Sequence, residues 1–364
     1  MNERIALISL GCPKNQVDAE AMLARLKNAG FELSAEVEGA DLVIVNTCGF
    51  IEDAKREAIE TILAVAQLKK EGSVGALLVT GCLAQRYKDE VIEEMPEIDG
   101  IIGIGKNGDI VEVCRKVLEK TQVREFPGKL CLPIEGDRIL STPGHFAYLK
   151  IAEGCSNCCS YCAIPSIRGK LRSRTVESIV EEAKSLAAAG VKELAVIAQD
   201  VTRYGTDLYG EFMLAKLLKE LCRIDGIEWI RLLYCYPECM TDELIDTIAN
   251  EEKICKYIDL PVQHADADVL RRMNRTGDEK SLLSLVEKLR ERIPGVIIRT
   301  TVMVGFPGET EENFETLSRF VGEARFDRLG CFAFSPEEFY LPLYLYPYPY
   351  LYHSCTLKDL SLYP

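Results

Sequence analysis

Short apolar runs separated by longer amphipathic stretches recur along most of this chain. Ile5–Leu10, Leu42–Val45, Ala76–Val79 and Ile101–Ile104 are almost unbroken in apolar character. Between them, apolar residues return at the three- and four-residue spacing of a helix. Val17, Met22, Leu23 and Leu26 do so before Gly30, and the pattern resumes over Phe50–Leu68, Ala84–Met95 and Ile110–Leu118. Strands that are apolar throughout are buried on both faces, so residues 1–120 are predicted to form a parallel sheet with crossover helices.

From Thr121 to His145 the periodicity fades and Pro127-Gly128, Pro133, Gly136 and Pro143-Gly144 punctuate the chain, which predicts a linker. The alternation then returns over 146–338. Candidate strands are Tyr148–Ala152, Glu193–Ala198, Trp229–Tyr234, Tyr257–Leu260, Val296–Val304 and Leu329–Phe334, with amphipathic helices such as Val176–Ala189 and Lys280–Arg292 between them. Six such βα units predict an open barrel, a relative of the eight-stranded form whose chemistry sits at strand C-termini. Polar loops follow four of these strands: Gln199-Asp200, Tyr236-Pro237, Gln263-His264 and Gly305–Glu309. By itself a lone His264 reads as a hydrogen-bonded structural histidine, whereas Gly305 would let the backbone approach a ligand closely.

Cysteines mark two places in this plan. Cys12, Cys48 and Cys82 each follow one of the first three strands, and ligands of parallel sheets bind at that edge. One strand-end cysteine is ordinary packing; three in matching positions predict an iron–sulfur cluster with one iron left open. The second place is Glu153-Gly-Cys-Ser-Asn-Cys-Cys-Ser-Tyr-Cys162, with four cysteines in eight residues. Cys155, Cys159 and Cys162 give C-x3-C-x2-C, three thiolates for a four-iron cube; Cys155, Cys158 and Cys162 give C-x2-C-x3-C, and spacing does not choose between them. A structural zinc site would want a fourth ligand and closure. Cys114, Cys131, Cys222, Cys235, Cys239, Cys255 and Cys331 lack ligand spacing and read as structural thiols.

Composition narrows the setting. The 364 residues are 48% hydrophobic, enough for two cores. No apolar stretch approaches the roughly 20 residues of a membrane span, and the N-terminus runs straight into a strand without a signal-peptide layout. A cytoplasmic protein is therefore expected, with its 15 cysteines reduced and available to metal. The net charge of −14 opposes non-specific nucleic-acid binding and suits a basic partner.

The central cysteine run and its flanks, Ala147-Tyr-Leu-Lys-Ile-Ala-Glu-Gly-Cys155 and Tyr161-Cys-Ala-Ile-Pro-Ser-Ile-Arg168-Gly-Lys-Leu-Arg-Ser-Arg174, resemble the methylthiotransferase branch of the radical S-adenosylmethionine enzymes. Gly11–Asn15, Asn46–Ile51 and Gly81–Arg86 resemble that family's N-terminal domain. The resemblance covers about 1–338 and selects Cys159 over Cys158. It implies two [4Fe-4S] clusters, at Cys12/Cys48/Cys82 and at Cys155/Cys159/Cys162, with S-adenosylmethionine on the open iron of the latter. Tyr161, Gln199, Asp200, His264 and Gly305 would help bind that cofactor. The implied reaction is one-electron cleavage to a 5′-deoxyadenosyl radical, hydrogen removal from an unactivated carbon, and delivery of a methylated sulfur by the other cluster. A flavodoxin- or ferredoxin-type electron donor is implied as well.

Within the family, Ser9–Asn15, Cys48–Lys55 and Ala163–Arg168 lean towards the member that modifies an aspartate β-carbon in a basic small-subunit ribosomal protein. The alternative is the transfer-RNA adenosine branch, which carries a glutamine in place of Pro13. An iron–sulfur electron carrier or scaffold is the alternative of another class, disfavoured because carriers fill all four ligand positions. After Glu338 the resemblance ends. Phe339–Pro364 holds seven tyrosines and four prolines without period, where the family continues into a helix and a substrate-binding β-barrel. A frame change or truncation is the expected origin of that tail.

Overall fold

The computed structural model describes residues 3–128 and 135–336. Cys131 and the tyrosine-rich segment 339–364 lie outside them. The first domain runs β1 (Arg4–Ser9), α1 (Pro13–Asn28), β2 (Glu32–Ser34), β3 (Leu42–Thr47), α2 (Glu52–Lys70), β4 (Leu77–Gly81), α3 (Cys82–Arg86), α4 (Lys88–Glu94), β5 (Gly100–Ile102), a 3-10 turn over Ile104–Asp109, α5 (Ile110–Leu118) and β6 (Val123–Glu125). All six strands are parallel, in the order β2-β1-β3-β4-β5-β6. Strands β3 and β4 are buried along their whole length, as their apolar composition requires. Two apolar layers cover the sheet, one around Val43, Val45, Ile62 and Leu77, the other around Met22, Leu26, Ile44 and Val113.

Three details differ from the sequence reading. The helix expected over Ala84–Met95 is two helices, broken at Tyr87 (φ −116°, ψ 32°). Strand β6 pairs with β5 inside the stretch expected to be linker. The short β2, polar at both ends, adds an edge beyond β1.

The second domain runs β7 (Phe146–Lys150), β8 (Ala152–Glu153), α6 (Ile164–Arg168), β9 (Arg172–Ser173), α7 (Val176–Ala188), β10 (Glu193–Ile197), α8 (Leu214–Cys222), β11 (Trp229–Leu232), a 3-10 turn over Pro237–Cys239, α9 (Asp242–Asn250), β12 (Ile254–Asp259), α10 (Ala267–Arg272), α11 (Glu279–Arg292), β13 (Ile297–Val304), α12 (Glu311–Ala324) and β14 (Arg328–Ala333). Six parallel strands in the order β7-β10-β11-β12-β13-β14 form the expected open (βα)6 sheet. Side-chain caps fix where its helices start: Thr175 and Thr241 accept from backbone N–H groups, and Asp278 and Thr310 complete capping boxes. Because all six strands run parallel, their C-terminal ends emerge on one rim.

The domains meet through α1, α3 and α6. Cys82 packs with Ala163 and Ile167, so the third cysteine of the first domain lies against the helix that follows Cys162.

Candidate cluster sites

In the first domain the sheet order reverses between β1 and β3, and the crevice at such a switch point is where parallel sheets bind ligands. Cys12 follows β1, Cys48 follows β3 and Cys82 opens α3 after β4. Gly11 lets the first two approach. At φ +90° it occupies backbone space that disfavours a side chain, and a Cβ there would stand 2.6 Å from Cys48 Cβ and 2.9 Å from its Sγ. Asn15 braces the same rim, donating from Nδ2 to the carbonyls of Leu10 (3.0 Å) and Thr47 (2.8 Å). Burial pushes the Cys48 thiol up and the Cys82 thiol up to about 12, with Cys12 acting on both. Thiols held neutral this way must lose protons when they ligate iron.

In the second domain Cys155, Cys158, Cys159 and Cys162 share the loop after β8, and the other three all lie near enough for their charges to act on Cys162. Gly154, at φ +71°, is required where that loop starts, because a Cβ would stand 2.3 Å from the Lys170 carbonyl oxygen. The loop is stitched to the α10–α11 connection: Ser160 N donates to Met273 O (3.0 Å), Ser160 Oγ to Arg272 O (2.8 Å) and Asn274 Nδ2 to Cys158 O (2.9 Å). Cys159 Sγ lies 3.4 Å from the Tyr236 hydroxyl. Cys158, at φ +53°, is exposed. Burial raises Cys155 to about 11 and Cys162 to about 12.

The donor chemistry of both places fits iron–sulfur clusters. Among the described residues no three His, Cys, Asp or Glu side chains converge on one point as a single ion would require. A cube is different, because each thiolate meets its own iron. Buried polar atoms near these loops suit a bound polar group: Asn157 Oδ1 in the central loop and Asn46 Oδ1 at the end of β3 lack hydrogen-bond partners among the described residues.

The remaining predicted residues gather at the barrel rim. The Tyr161 phenol is half-buried and accepts from Arg275 Nη1 (3.2 Å). Arg275 also covers the Tyr236 ring at 4.1 Å, so Tyr161, Arg275 and Tyr236 form one wall beside Cys159. Gln199 is half-buried at the end of β10. Asp200 is buried and accepts from Asn157 Nδ2 (2.8 Å) and Thr202 N (3.0 Å), tying the cysteine loop to β10. Gly305, at φ +73°, has open space where a Cβ would be. His264 is fully buried: Nδ1 accepts from Asp266 N (3.0 Å), so Nε2 carries the proton and faces Glu309 Oε1 at 3.5 Å. With both nitrogens engaged, His264 supports the Gly305–Glu309 loop that the resemblance places at the cofactor.

Sequence reasoning did not single out the groups that join the two sites. Arg168 on α6 donates to Glu153 (2.8 Å), Asn15 (2.8 Å) and Asp18 (3.3 Å). Lys150 binds Glu153 (3.0 Å) and also Asp18. All five are buried. Burial alone would push the Glu153 carboxyl up, but the Arg168 and Lys150 cations hold it well below the usual carboxylate range. Lys14 sits beside them, its ammonium 3.2 Å from the centre of the Tyr234 ring, with burial lowering it to about 8. Arg168 falls inside the motif Ala163–Arg168 and Lys14 inside Gly11–Asn15, but their burial is visible only in three dimensions.

Known proteins bear on these sites. Residues 4–103 match the family described as Uncharacterized protein family UPF0004, and residues 149–321 match the Radical SAM superfamily. The chain is 53% identical over 340 residues to the ribosomal protein uS12 methylthiotransferase RimO of Clostridioides difficile (strain 630), covering 92% of this chain and 76% of that one. It is 54% identical over 340 residues to the protein of the same name from Pelotomaculum thermopropionicum, covering 93% and 76%. Among solved structures, the radical S-adenosylmethionine methyltransferase TsrM of Kitasatospora setae, with cobalamin and a [4Fe-4S] cluster bound, superposes with a TM-score of 0.66 at 17% identity, covering 92% of this chain and 75% of that one. The cobalamin-dependent radical enzyme OxsB gives 0.59 at 11% identity, covering 88% and 52%. These two likenesses establish the shared fold.

Proposed function

This chain belongs to the ribosomal protein uS12 methylthiotransferases of the radical S-adenosylmethionine superfamily, and from that membership we infer that it attaches a methylthio group to the β-carbon of an aspartate in uS12. The observation that carries the reading is the packing of Cys82 on Ala163 and Ile167, which brings the two cysteine triads to a common boundary. A reaction that joins a carbon radical to a sulfur needs both sources within reach of one substrate atom.

Cys155, Cys159 and Cys162 would hold the cluster that binds S-adenosylmethionine, and Cys12, Cys48 and Cys82 the other. When bound, these groups supply a 5′-deoxyadenosyl radical for hydrogen removal and a sulfur that carries a methyl group. The chain's own residues position and enclose them. Asp200 and Asn157 fix the central loop against β10, and Asn157 Oδ1 offers an acceptor to a donor on the cofactor. Tyr161, Arg275 and Tyr236 wall Cys159 from water, which protects a radical from quenching. His264 and Glu309 hold the backbone at Gly305 open. A flavodoxin- or ferredoxin-type protein would deliver the electron. Among the described residues no helix is long and apolar enough to cross a membrane.

Anaerobic reconstitution with iron and sulfide, followed by incubation with S-adenosylmethionine, reductant and uS12, tests this. A methylthio mass increment on an aspartate of uS12 is expected. The same increment on unmodified transfer RNA and not on uS12 would overturn the protein substrate.

A further inference from the structure

The chain carries 57 acids against 43 lysines and arginines, yet the sign reverses beside the central cysteine loop. Residues 154–174 hold Arg168, Lys170, Arg172 and Arg174 with no acid, and residues 269–276 hold Arg271, Arg272 and Arg275 with none. Both segments are hydrogen-bonded to the loop itself. Cys155 N donates to Gly169 O (3.0 Å) and Leu171 N to Ser156 Oγ (3.1 Å), which seats Lys170 against the start of the loop. The bonds of Ser160 Oγ to Arg272 O and of Asn274 Nδ2 to Cys158 O seat the end of α10 against its middle. Arg168 and Arg174 are buried in ion pairs, whereas Lys170 and Arg271 are exposed and Arg272 is half-buried. No carboxylate among the described residues pairs with Lys170 or Arg272, and the Arg272 guanidinium donates to the carbonyl of Gly308 (2.7 Å). Arg271 has Asp268 at 2.7 Å, but those side chains are 75% and 65% exposed, a setting in which an ion pair is well screened. Two nearby carboxylates are engaged elsewhere, Asp200 with Asn157 and Thr202, and Glu238 with Thr276. Cys158 and Asn274 are exposed between these cations, and none of the large exposed apolar side chains falls in either segment.

We propose that Lys170, Arg271 and Arg272, around the exposed Cys158 turn, form the docking surface for the one-electron donor, a small redox protein whose own surface is acidic. This rests on the cluster reading of Cys155, Cys159 and Cys162, and adds the place where the electron enters. Cys158 is exposed and adjoins Cys159 in the chain, so a donor docked there comes within one residue of a cluster ligand. Electron tunnelling falls steeply with distance, which makes the surface nearest the cluster the effective one. One electron leaves the donor and enters the cluster, and no atom or proton is transferred. The contact must also be brief, because the oxidised donor has to leave before the next can arrive. Transient redox encounters bury little surface and are steered by charge. A cationic patch without an exposed apolar anchor has that character; a lasting interface would need an apolar core. The sign of the patch also sorts partners. It attracts an acidic donor and repels a basic substrate protein, while the overall charge of −14 opposes a long polyanion such as RNA.

The test is the rate of cluster reduction, followed anaerobically by stopped-flow loss of the cluster's visible absorbance. The full reconstituted chain is mixed with reduced flavodoxin or with dithionite, a small reductant that needs no docking surface. The double variant Lys170→Glu, Arg271→Glu should be reduced by flavodoxin at least about tenfold more slowly at low ionic strength, as attraction turns to repulsion. The difference should shrink to within about threefold near 1 M salt, where the Debye length is about 3 Å. Asp268→Asn, which unmasks Arg271, should speed the reaction with flavodoxin. Reduction by dithionite should stay within about threefold in every variant. Undiminished reduction of the double variant by flavodoxin overturns the proposal. So does equal slowing with dithionite, which would mean that the substitutions disturb the cluster itself. Loss of uS12 binding with an unchanged flavodoxin rate also overturns it and assigns the patch to the substrate. If dithionite reduces the unsubstituted chain but neither flavodoxin nor a reduced acidic ferredoxin does, the proposal falls and the cluster reading stands. If the unsubstituted chain assembles no cluster from iron and sulfide, that reading falls and the proposal with it.

Discussion

Arg168 Nη2 donates to Asn15 Oδ1 at 2.8 Å, a hydrogen bond between residues 153 positions apart that ties the helix after the central cysteine run to the first turn of α1. Through Asn15 the same bond reaches the carbonyls of Leu10 and Thr47, on the strand ends that precede Cys12 and Cys48. The geometry of one cysteine site is thereby mechanically linked to the other.

Removing the guanidinium should be costly. Arg168→Met would leave Asp18 and Glu153 with Lys150 as their remaining ion-pair partner among the described residues. Loss of one partner from a buried ionic group destabilises by about 3–5 kcal/mol. Arg168→Lys should recover only part, because an ammonium cannot span Asn15, Asp18 and Glu153 as a planar fork does. Anaerobic denaturant unfolding followed by circular dichroism measures both; an unchanged midpoint for Arg168→Met would refute the linkage.

The two adjacent cysteines of the central run should behave differently. Cys159 touches the Tyr236 hydroxyl, while Cys158 is exposed on a backbone turned to φ +53°. Cys159→Ala should abolish the paramagnetic signal of the S-adenosylmethionine-binding cluster after reduction, and Cys158→Ala should preserve it. The reverse result would move the ligand set to Cys155, Cys158 and Cys162.

What could be read from the sequence, and what could not, follows from how far each feature reaches along the chain. Strands such as β3 and β4 were legible because burial on both faces leaves almost nothing but apolar side chains. The cysteines stand out as candidate ligands because they fall at short local spacings or at strand ends. The break at Tyr87 has no Gly or Pro to mark it, and the contact that holds Tyr87 there comes from 32 residues away, where Lys55 Nζ reaches its hydroxyl at 3.3 Å. Strand β6, with the sequence Val-Arg-Glu, carries too little apolar pattern to stand out. The buried group of Asp18, Lys150, Glu153 and Arg168 draws one residue from each of four elements, and no periodicity announces such an arrangement.

Gly11 offers a way to disable the first-domain cluster without touching a cysteine. Gly11→Ala would force a Cβ to within 2.6 Å of Cys48 Cβ at a backbone angle that disfavours any side chain. Reconstituted protein with two four-iron cubes holds roughly 8 irons, and this variant should hold about half. Replacing Cys12, Cys48 and Cys82 together by alanine should give the same count. S-adenosylmethionine cleavage, which depends on the central run, should persist in both variants. Full iron retention in the triple variant would remove the first-domain site altogether.

His264 separates two roles that a rim histidine could have. Its Nδ1 accepts from Asp266 N and its Nε2 faces Glu309, whose other oxygen accepts from Phe306 N at 2.9 Å. The imidazole is therefore the pillar under the loop that carries Gly305. His264→Ala would strand the Asp266 N–H and leave a cavity beneath that loop, costing about 2–4 kcal/mol. His264→Asn is the discriminating variant, because an asparagine side-chain oxygen can accept from the N–H two residues on and so restore the Asp266 bond. It cannot also reach Glu309. Stability should therefore recover in His264→Asn, while S-adenosylmethionine affinity, measured by equilibrium dialysis on reconstituted protein, should stay weakened severalfold in both variants. If the asparagine variant regained full affinity together with stability, the His264–Glu309 contact would have no part in shaping the cofactor loop, and the histidine would serve the start of α10 alone.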